Sequence, residues 1–214
     1  TGAPKKCYSN RQEGEFILDD NVLVEKMKAG DKESFDILYE RYQNRLIRTA
    51  YLITGNYSDS EDIVQETFVK CYLHCNELKN NSGFKPWLYQ ILTRTAWQYG
   101  KKRSRELPDE EIEKKAERSD EINSLDLILK SEQSAKICEA VRKLDIKYRV
   151  VVVYYYYSQM STKEIAKACE LREGTVKSRL FAARKQLKKE MHEIMEKEEL
   201  RDGKIRGKNH PGYV

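Results

Sequence analysis

Residues 161–189 read STKEIAKACELREGTVKSRLFAARKQLKK. Ser161 stands three residues before Glu164, the spacing at which a Ser and a Glu side chain cap each other's backbone at the start of a helix. Ile165, Ala166 and Cys169 follow on one short helix, and Glu173-Gly174-Thr175 marks a turn. Val176, Leu180, Ala183 and Leu187 then recur at three- and four-residue spacing along a longer helix. A short helix, a tight turn and a second helix is the layout of a helix-turn-helix. Small Ala166 lets the two helices cross closely, while Val176 and Leu180 anchor the second to the first. The face left free carries Lys177, Ser178, Phe181, Arg184, Lys185 and Lys188.

Charge points that face at a polyanion. From Arg172 to Lys189 there are seven basic residues (Arg172, Lys177, Arg179, Arg184, Lys185, Lys188, Lys189) and one acidic residue, Glu173, a balance of +6. The whole chain of 214 residues, with 40 Lys and Arg against 35 Asp and Glu, carries only +5. A basic helical run is commonly a solvated face and nothing more. Here the capped helix and the turn ahead of it supply a docking geometry as well.

Upstream, the eight residues 150–157 are four valines and four tyrosines, a strand by propensity. No partner strand is visible nearby and the flanks are helical, with Leu127, Ile128, Ile137, Val141 and Leu144 in helical phase, so the run is read as helix. It is far shorter than the roughly 20 apolar residues of a membrane span. The charged N-terminus has no signal-peptide core, so a cytoplasmic location without membrane insertion is expected.

The N-terminal half predicts a second helical unit. Asp31 is placed as an N-cap, and Phe35, Leu38, Tyr39, Tyr42, Leu46, Ala50 and Ile53 form one buried stripe ending at Gly55-Asn56. Residues 58–60 open the next helix, with Ile63, Thr67, Phe68, Cys71 and Tyr72 inward, and Asn80-Asn81-Ser82-Gly83 is a polar loop. Pro86 suits the first turn of a third helix carrying Trp87, Leu88, Ile91, Leu92 and Thr95. Residues 106–126 hold nine acidic residues against Lys114, Lys115 and Arg118 and read as a solvated linker. The expected fold is therefore all-α: a tail over 1–19, partly cloning-derived, a unit over 20–105, the acidic linker, a unit over 127–192 and a charged tail over 193–214.

Catalysis finds no footing. His74, His192 and His210 have no motif around them, so no Ser/His/Asp or metal set converges and no cofactor is expected. The corner of Cys71, His74 and Cys75 offers three helix-phased groups without a second cluster and is read as packing. Five scattered cysteines are expected to be reduced thiols.

Two stretches resemble a known family. Glu164-Ile165-Ala166, then residues 173–180 (EGTVKSRL) and 183–187 (ARKQL), resemble region 4.2 of extracytoplasmic-function sigma factors. Asp59-Ser60-Glu61-Asp62-Ile63-Val64-Gln65-Glu66-Thr67-Phe68 resembles region 2.2, the polymerase-docking helix, and residues 84–91 (FKPWLYQI) with the basic tail to Arg105 resemble regions 2.3 and 2.4. The resemblance implies that the protein binds core RNA polymerase and promoter DNA, as a monomer, and that an anti-sigma factor regulates it. It implies polymerase contacts at Asp59, Asp62, Gln65, Glu66 and Val69, which share one helix face opposite Ile63 and Thr67. An acidic and amide face of this kind suits an Arg-rich partner.

For the −10 element the expected residues are Asn80, Asn81 and Ser82 at an unstacked base and Arg94, Lys101, Lys102 and Arg103 on phosphates. Trp87, beside Phe84, is read first as core and second as a stacking platform. For the −35 element they are Arg172, Thr175, Lys177, Ser178, Arg179, Phe181, Arg184, Lys185 and Lys188. By the same resemblance the acidic linker mimics nucleic acid in the RNA exit path. Thr93, Arg94, Gln98 and Ala182 depart from the usual pattern, which bears on promoter sequence; Tyr155 departs too, in a tyrosine cluster read as packing. A stand-alone helix-turn-helix regulator would explain residues 161–189 but not the docking helix.

Overall fold

The computed structural model describes residues 18–106 and 132–208, which are helical with no strand among them. The N-terminal unit begins with α1 (Asp20–Lys28), whose first turn is capped by the Asp19 carboxylate accepting from the Asn21 amide. Gly30, at φ +92, turns the chain into α2 (Lys32–Thr54). Asp31 occupies the N-cap as expected, but its carboxylate accepts from the Ser34 hydroxyl and not from a backbone amide. Leu38, Tyr42, Leu46, Ala50 and Ile53 are buried along α2, which stops at Gly55 in the left-handed region (φ +76).

Asn56 then caps α3 (Tyr57–Leu73), so the helix starts earlier than the serines at 58 and 60 suggested: the Asn56 side chain accepts from the Asp59 amide at 2.9 Å. Two single 3₁₀ turns, Cys75–Glu77 and Asn81–Gly83, lead to α4 (Phe84–Glu106), with Pro86 in its first turn. Tyr72, expected inward, lies exposed at the rim, where its ring meets the Phe35 edge at 5.1 Å.

The expected linker and the start of the second unit at Leu127 and Ile128 lie outside the described residues. That unit continues with α5 (Glu132–Lys143) and α6 (Ile146–Val152). Cys138 and Val141 on α5, with Leu144 just after it, are buried, which leaves Ile137 exposed, contrary to the sequence reading. Residues 150–157 are helical, but the second half, Val153–Tyr157, is a π turn in which the Ser158 amide reaches back to the Val153 carbonyl at 3.0 Å. The capping box forms as read: the Ser161 amide donates to Glu164 at 2.8 Å, and the Glu164 amide to the Ser161 hydroxyl at 3.2 Å. It starts α7 (Thr162–Ala168), and α8 (Glu173–Lys208) completes the helix-turn-helix and carries the chain helically past residue 192.

The two units share one continuous apolar core, whereas the sequence suggested that only a linker joined them. Helices α4 and α7 pack together, and α2 packs on α5, α6 and the π turn. Tyr154, with no exposed surface, sits edge-on to Tyr89 at 5.1 Å between ring centres. Its hydroxyl shares a hydrogen at 2.7 Å with Thr93 and donates to the Tyr89 carbonyl at 3.2 Å. Thr49 and Ser158 hydroxyls meet at 3.3 Å across the same boundary, and Arg149 donates to the Ile53 carbonyl at 2.7 Å. These hydrogen bonds across the boundary fix its register, while the Tyr89 hydroxyl and the Arg149 Nε are buried there without a hydrogen-bond partner.

Candidate functional site

The α3 face expected to dock polymerase is set by helical phase. Ile63, Val64, Thr67, Phe68 and Cys71 are buried, which turns Asp62, Gln65 and Val69 outward with Glu66 partly exposed beside them. Asp59 stands one turn earlier, in the first turn of α3. Glu66 pairs with Lys70 at 2.7 Å, and the Lys70 ammonium also donates to Thr95 and Gln98 of α4, each at 3.1 Å. Tyr99 borders the same face: burial and the neighbouring Glu66, Asp62 and Asp59 carboxylates hold its phenol above the ordinary range. Sequence reasoning missed Tyr99 and also Leu73, which is 68% exposed one turn beyond Val69. The i, i+4 spacing from Val69 was the available signal for Leu73.

In the loop before α4, Asn80 and Ser82 are exposed and joined: the Asn80 side-chain oxygen accepts from the Ser82 amide at 3.0 Å and from its hydroxyl at 2.8 Å. Asn81 is turned the other way, toward α1, accepting from Lys28 at 2.7 Å and donating to the Asn21 carbonyl at 3.3 Å. Trp87 is partly buried against Phe84, centroids 6.3 Å apart, which agrees with its reading as core. Trp97 is 45% exposed and was not singled out from the sequence. It shares an α4 face with Arg94 and Lys101, at i−3 and i+4, and Lys102 and Arg103 follow in the same helix. Arg94 is bonded to the Glu170 carboxylate, which also accepts from Gln90 at 2.9 Å. Glu170 follows α7 in the left-handed region (φ +55), and the Arg94 bond, ahead of a smaller opposing effect of burial, holds its carboxyl pKa below the usual carboxylate range. One −10 candidate, Arg94, is therefore tied to the helix-turn-helix unit through Glu170, which is not itself a −35 candidate.

Along α8, Val176, Leu180 and Ala183 are buried, and Lys177, Ser178, Phe181, Arg184, Lys185 and Lys188 are exposed, as the helical phase predicted. Phe181 is 73% exposed, an aromatic ring held in water among cations. Arg172 is exposed in the preceding turn, and Thr175 and Arg179 are partly exposed. Lys177 pairs with Glu173 at 2.8 Å, and Glu173 also accepts from Thr162 at 2.8 Å, bonds that together hold its carboxyl below the usual range. Arg184 donates to the Tyr156 hydroxyl at 2.8 Å, and its guanidinium lies 5.7 and 5.8 Å from the Tyr155 and Tyr156 ring centres. Tyr155 and Tyr156 were not assigned from sequence, because only the π turn brings them to α8.

Among the described residues no group of His, Cys, Asp and Glu is arranged to hold a metal ion. Cys71 and Cys75 are buried, and His74 turns to Glu77 at 2.8 Å. No described helix is long and apolar enough to cross a membrane.

Residues 38–106 match the family model described as Sigma-70 region 2, and residues 134–187 match that of Sigma-70, region 4. The ECF RNA polymerase sigma-E factor of Haemophilus influenzae is 31% identical over 188 residues, covering 83% of this chain and 98% of that protein. The ECF RNA polymerase sigma factor SigW of Bacillus subtilis is 28% identical over 182 residues, covering 80% and 96%. Two solved structures share the fold at 24% identity. CnrH in complex with the cytosolic domain of CnrY has a TM-score of 0.59 over 79% of this chain and 94% of that one. The sigma factor RpoE in complex with the anti-sigma factor NepR from Bartonella quintana has 0.55 over 73% and 97%. With an outward acidic helix face in the first matched region, a basic helix-turn-helix face in the second, and near-complete coverage of its relatives, the chain belongs to the extracytoplasmic-function RNA polymerase sigma factors.

Proposed function

We propose that this sigma factor divides promoter-directed initiation among three surfaces of its own chain. Asp59, Asp62, Gln65, Glu66 and Val69, with Leu73 extending the apolar end, hold core polymerase. The loop carrying Asn80 and Ser82, with Trp97, Arg94, Lys101, Lys102 and Arg103, takes the −10 element. Arg172, Thr175 and the exposed face of α8 from Lys177 to Lys188 take the −35 element. The observation that carries this reading is the exposed Phe181 ring set among Lys177, Arg184 and Lys185 on a helix whose opposite face is buried. A ring left in water among cations is matched by a partner offering both phosphates and apolar base edges.

The protein performs no chemistry of its own in this reading; the polymerase supplies catalysis, and the cytoplasm is where it works. The proposed units are residues 20–105 and 127–192. Arg94 gives one guanidinium nitrogen to Glu170, so this exposed ion pair competes with a phosphate of the −10 element for Arg94. The structural neighbours were solved with CnrY and with the anti-sigma factor NepR, and a regulator of that kind is proposed for this chain. Run-off transcription with core polymerase over a promoter library tests the assignment. Specific transcripts dependent on both elements are expected; promoter-independent background only, from a folded protein that co-elutes with core enzyme, refutes the two DNA assignments.

A further inference from the structure

The loop that precedes α4 does not hold its shape unaided. Lys28, in the last turn of α1, is partly buried, and its ammonium donates to the Leu78 carbonyl at the loop's entrance and to the Asn81 side-chain oxygen in its middle, the latter at 2.7 Å. A lysine ordinarily leaves its ammonium in water, because fixing four side-chain torsions and stripping the charge of solvent are both unfavourable. Two protein acceptors on one ammonium orient it and, through it, the loop. Asn81 is gripped from the other side as well, its amide donating to the Asn21 carbonyl at 3.3 Å. Both ends of one side-chain amide are thereby committed to α1, and Asn81 is withdrawn from the outer surface.

Its neighbours are left outward. Asn80 and Ser82 are exposed, and the Asn80 oxygen is already occupied by the Ser82 amide and hydroxyl. What the loop offers outward is therefore the Asn80 side-chain NH₂, a donor aimed by a turn whose other half is fixed to α1.

We infer that Lys28 is a positioning residue for base selection at the −10 element: by fixing Leu78 and Asn81 it presents the Asn80 NH₂ to a base with a carbonyl oxygen on its exposed edge. This rests on the reading of the loop as the base reader. Thymine, guanine and cytosine carry such an oxygen and adenine does not. Lys28 itself touches no DNA in this account.

The test is run-off transcription by holoenzyme on templates that differ only at single −10 positions. Lys28→Met keeps the aliphatic stem and removes the ammonium. It is expected to lower the preference for the favoured base roughly tenfold, the size of a hydrogen bond to a charged group. Lys28→Arg restores most of that preference. Asn81→Ala reproduces the effect with Lys28 intact, and adding Lys28→Met to it changes little, because the two residues act through one contact. A Lys28→Met holoenzyme that loses rate equally on all four bases, or additive effects of Lys28→Met and Asn81→Ala, overturns the inference. Asn80→Ala separates this failure from failure of the loop reading. If Asn80→Ala lowers base preference and Lys28→Met does not, Lys28 has no positioning role; if neither does, the loop is not the reader.

Discussion

Tyr154→Phe removes one oxygen atom from the boundary between the two helical units and tests whether they fold as one. Tyr154 is fully buried, and its hydroxyl joins Thr93 and the Tyr89 carbonyl of α4. In the variant the ring stays, so little cavity forms, and Thr93 keeps its own bond to the Tyr89 carbonyl at 2.8 Å. No partner is left wholly unpaired, which puts the loss near the value of an ordinary buried hydrogen bond, about 1 to 2 kcal/mol. For a chain of this size that corresponds to a fall in Tm of about 2 to 8 °C. Both tryptophans, Trp87 and Trp97, lie on α4 in the other unit. Tryptophan fluorescence therefore reports the unit that was not mutated, and far-UV circular dichroism reports both. The shared core predicts that the two signals move together by the same few degrees. A tryptophan transition that stays where it was while the circular dichroism transition splits would falsify the coupling.

Reversing the α3 face with Asp62→Arg and Glu66→Arg is expected to abolish co-elution with core polymerase while helicity is kept, at a cost of several kcal/mol in binding; co-elution of the folded double variant removes the docking assignment. In holoenzyme, Lys177→Ala is expected to cost about 1 to 3 kcal/mol on the preferred −35 sequence and to blur its selectivity. Lys188→Ala should weaken all sequences alike and lower the slope of log affinity against log salt by about one. The opposite pattern means that α8 is docked end for end. Burial pushes the Cys71 and Cys169 thiols up to about 12, with Cys75 adding to the effect at Cys71 and Arg179 opposing it at Cys169. Unfolded thiols ionise near about 8.5, so this contribution to stability is intact below that pH and is lost as pH rises toward 12. Denaturant midpoints measured across that range should fall, and native protein labelled at these two thiols as fast as denatured protein at neutral pH would contradict their burial.

The helix-turn-helix was legible because its determinants are local. The Ser161 and Glu164 pair, the small residue at 166 and the apolar phase of α8 all act within a few turns of chain. The outward acidic face of α3 was legible for the same reason. What escaped was whatever depended on distant partners. Tyr89 and Tyr154 each pass for the core residue of a separate unit, and nothing local says that they meet. Ile137 and Cys138 offer competing phases along α5, and packing against α8 and α2 chose Cys138. The π turn could not be read from four valines and four tyrosines, since a backbone bond reaching five residues back leaves no mark in side-chain spacing. Asn81 was read as an outward base contact, alike in chemistry to Asn80; its contacts with Lys28 and Asn21 of α1 distinguish them.

The shared core also sets an order of events on the ribosome. Residues 20–106 emerge first, and the surface around Tyr89 and Thr93 that receives Tyr154 then has nothing to cover it. Synthesis proceeds at roughly 5 to 20 residues per second, so the wait for the tyrosine run is on the order of several seconds. Throughout that interval the nascent chain shows an aromatic surface that the finished protein conceals. The N-terminal half thus waits with a surface that its own C-terminal half is built to cover.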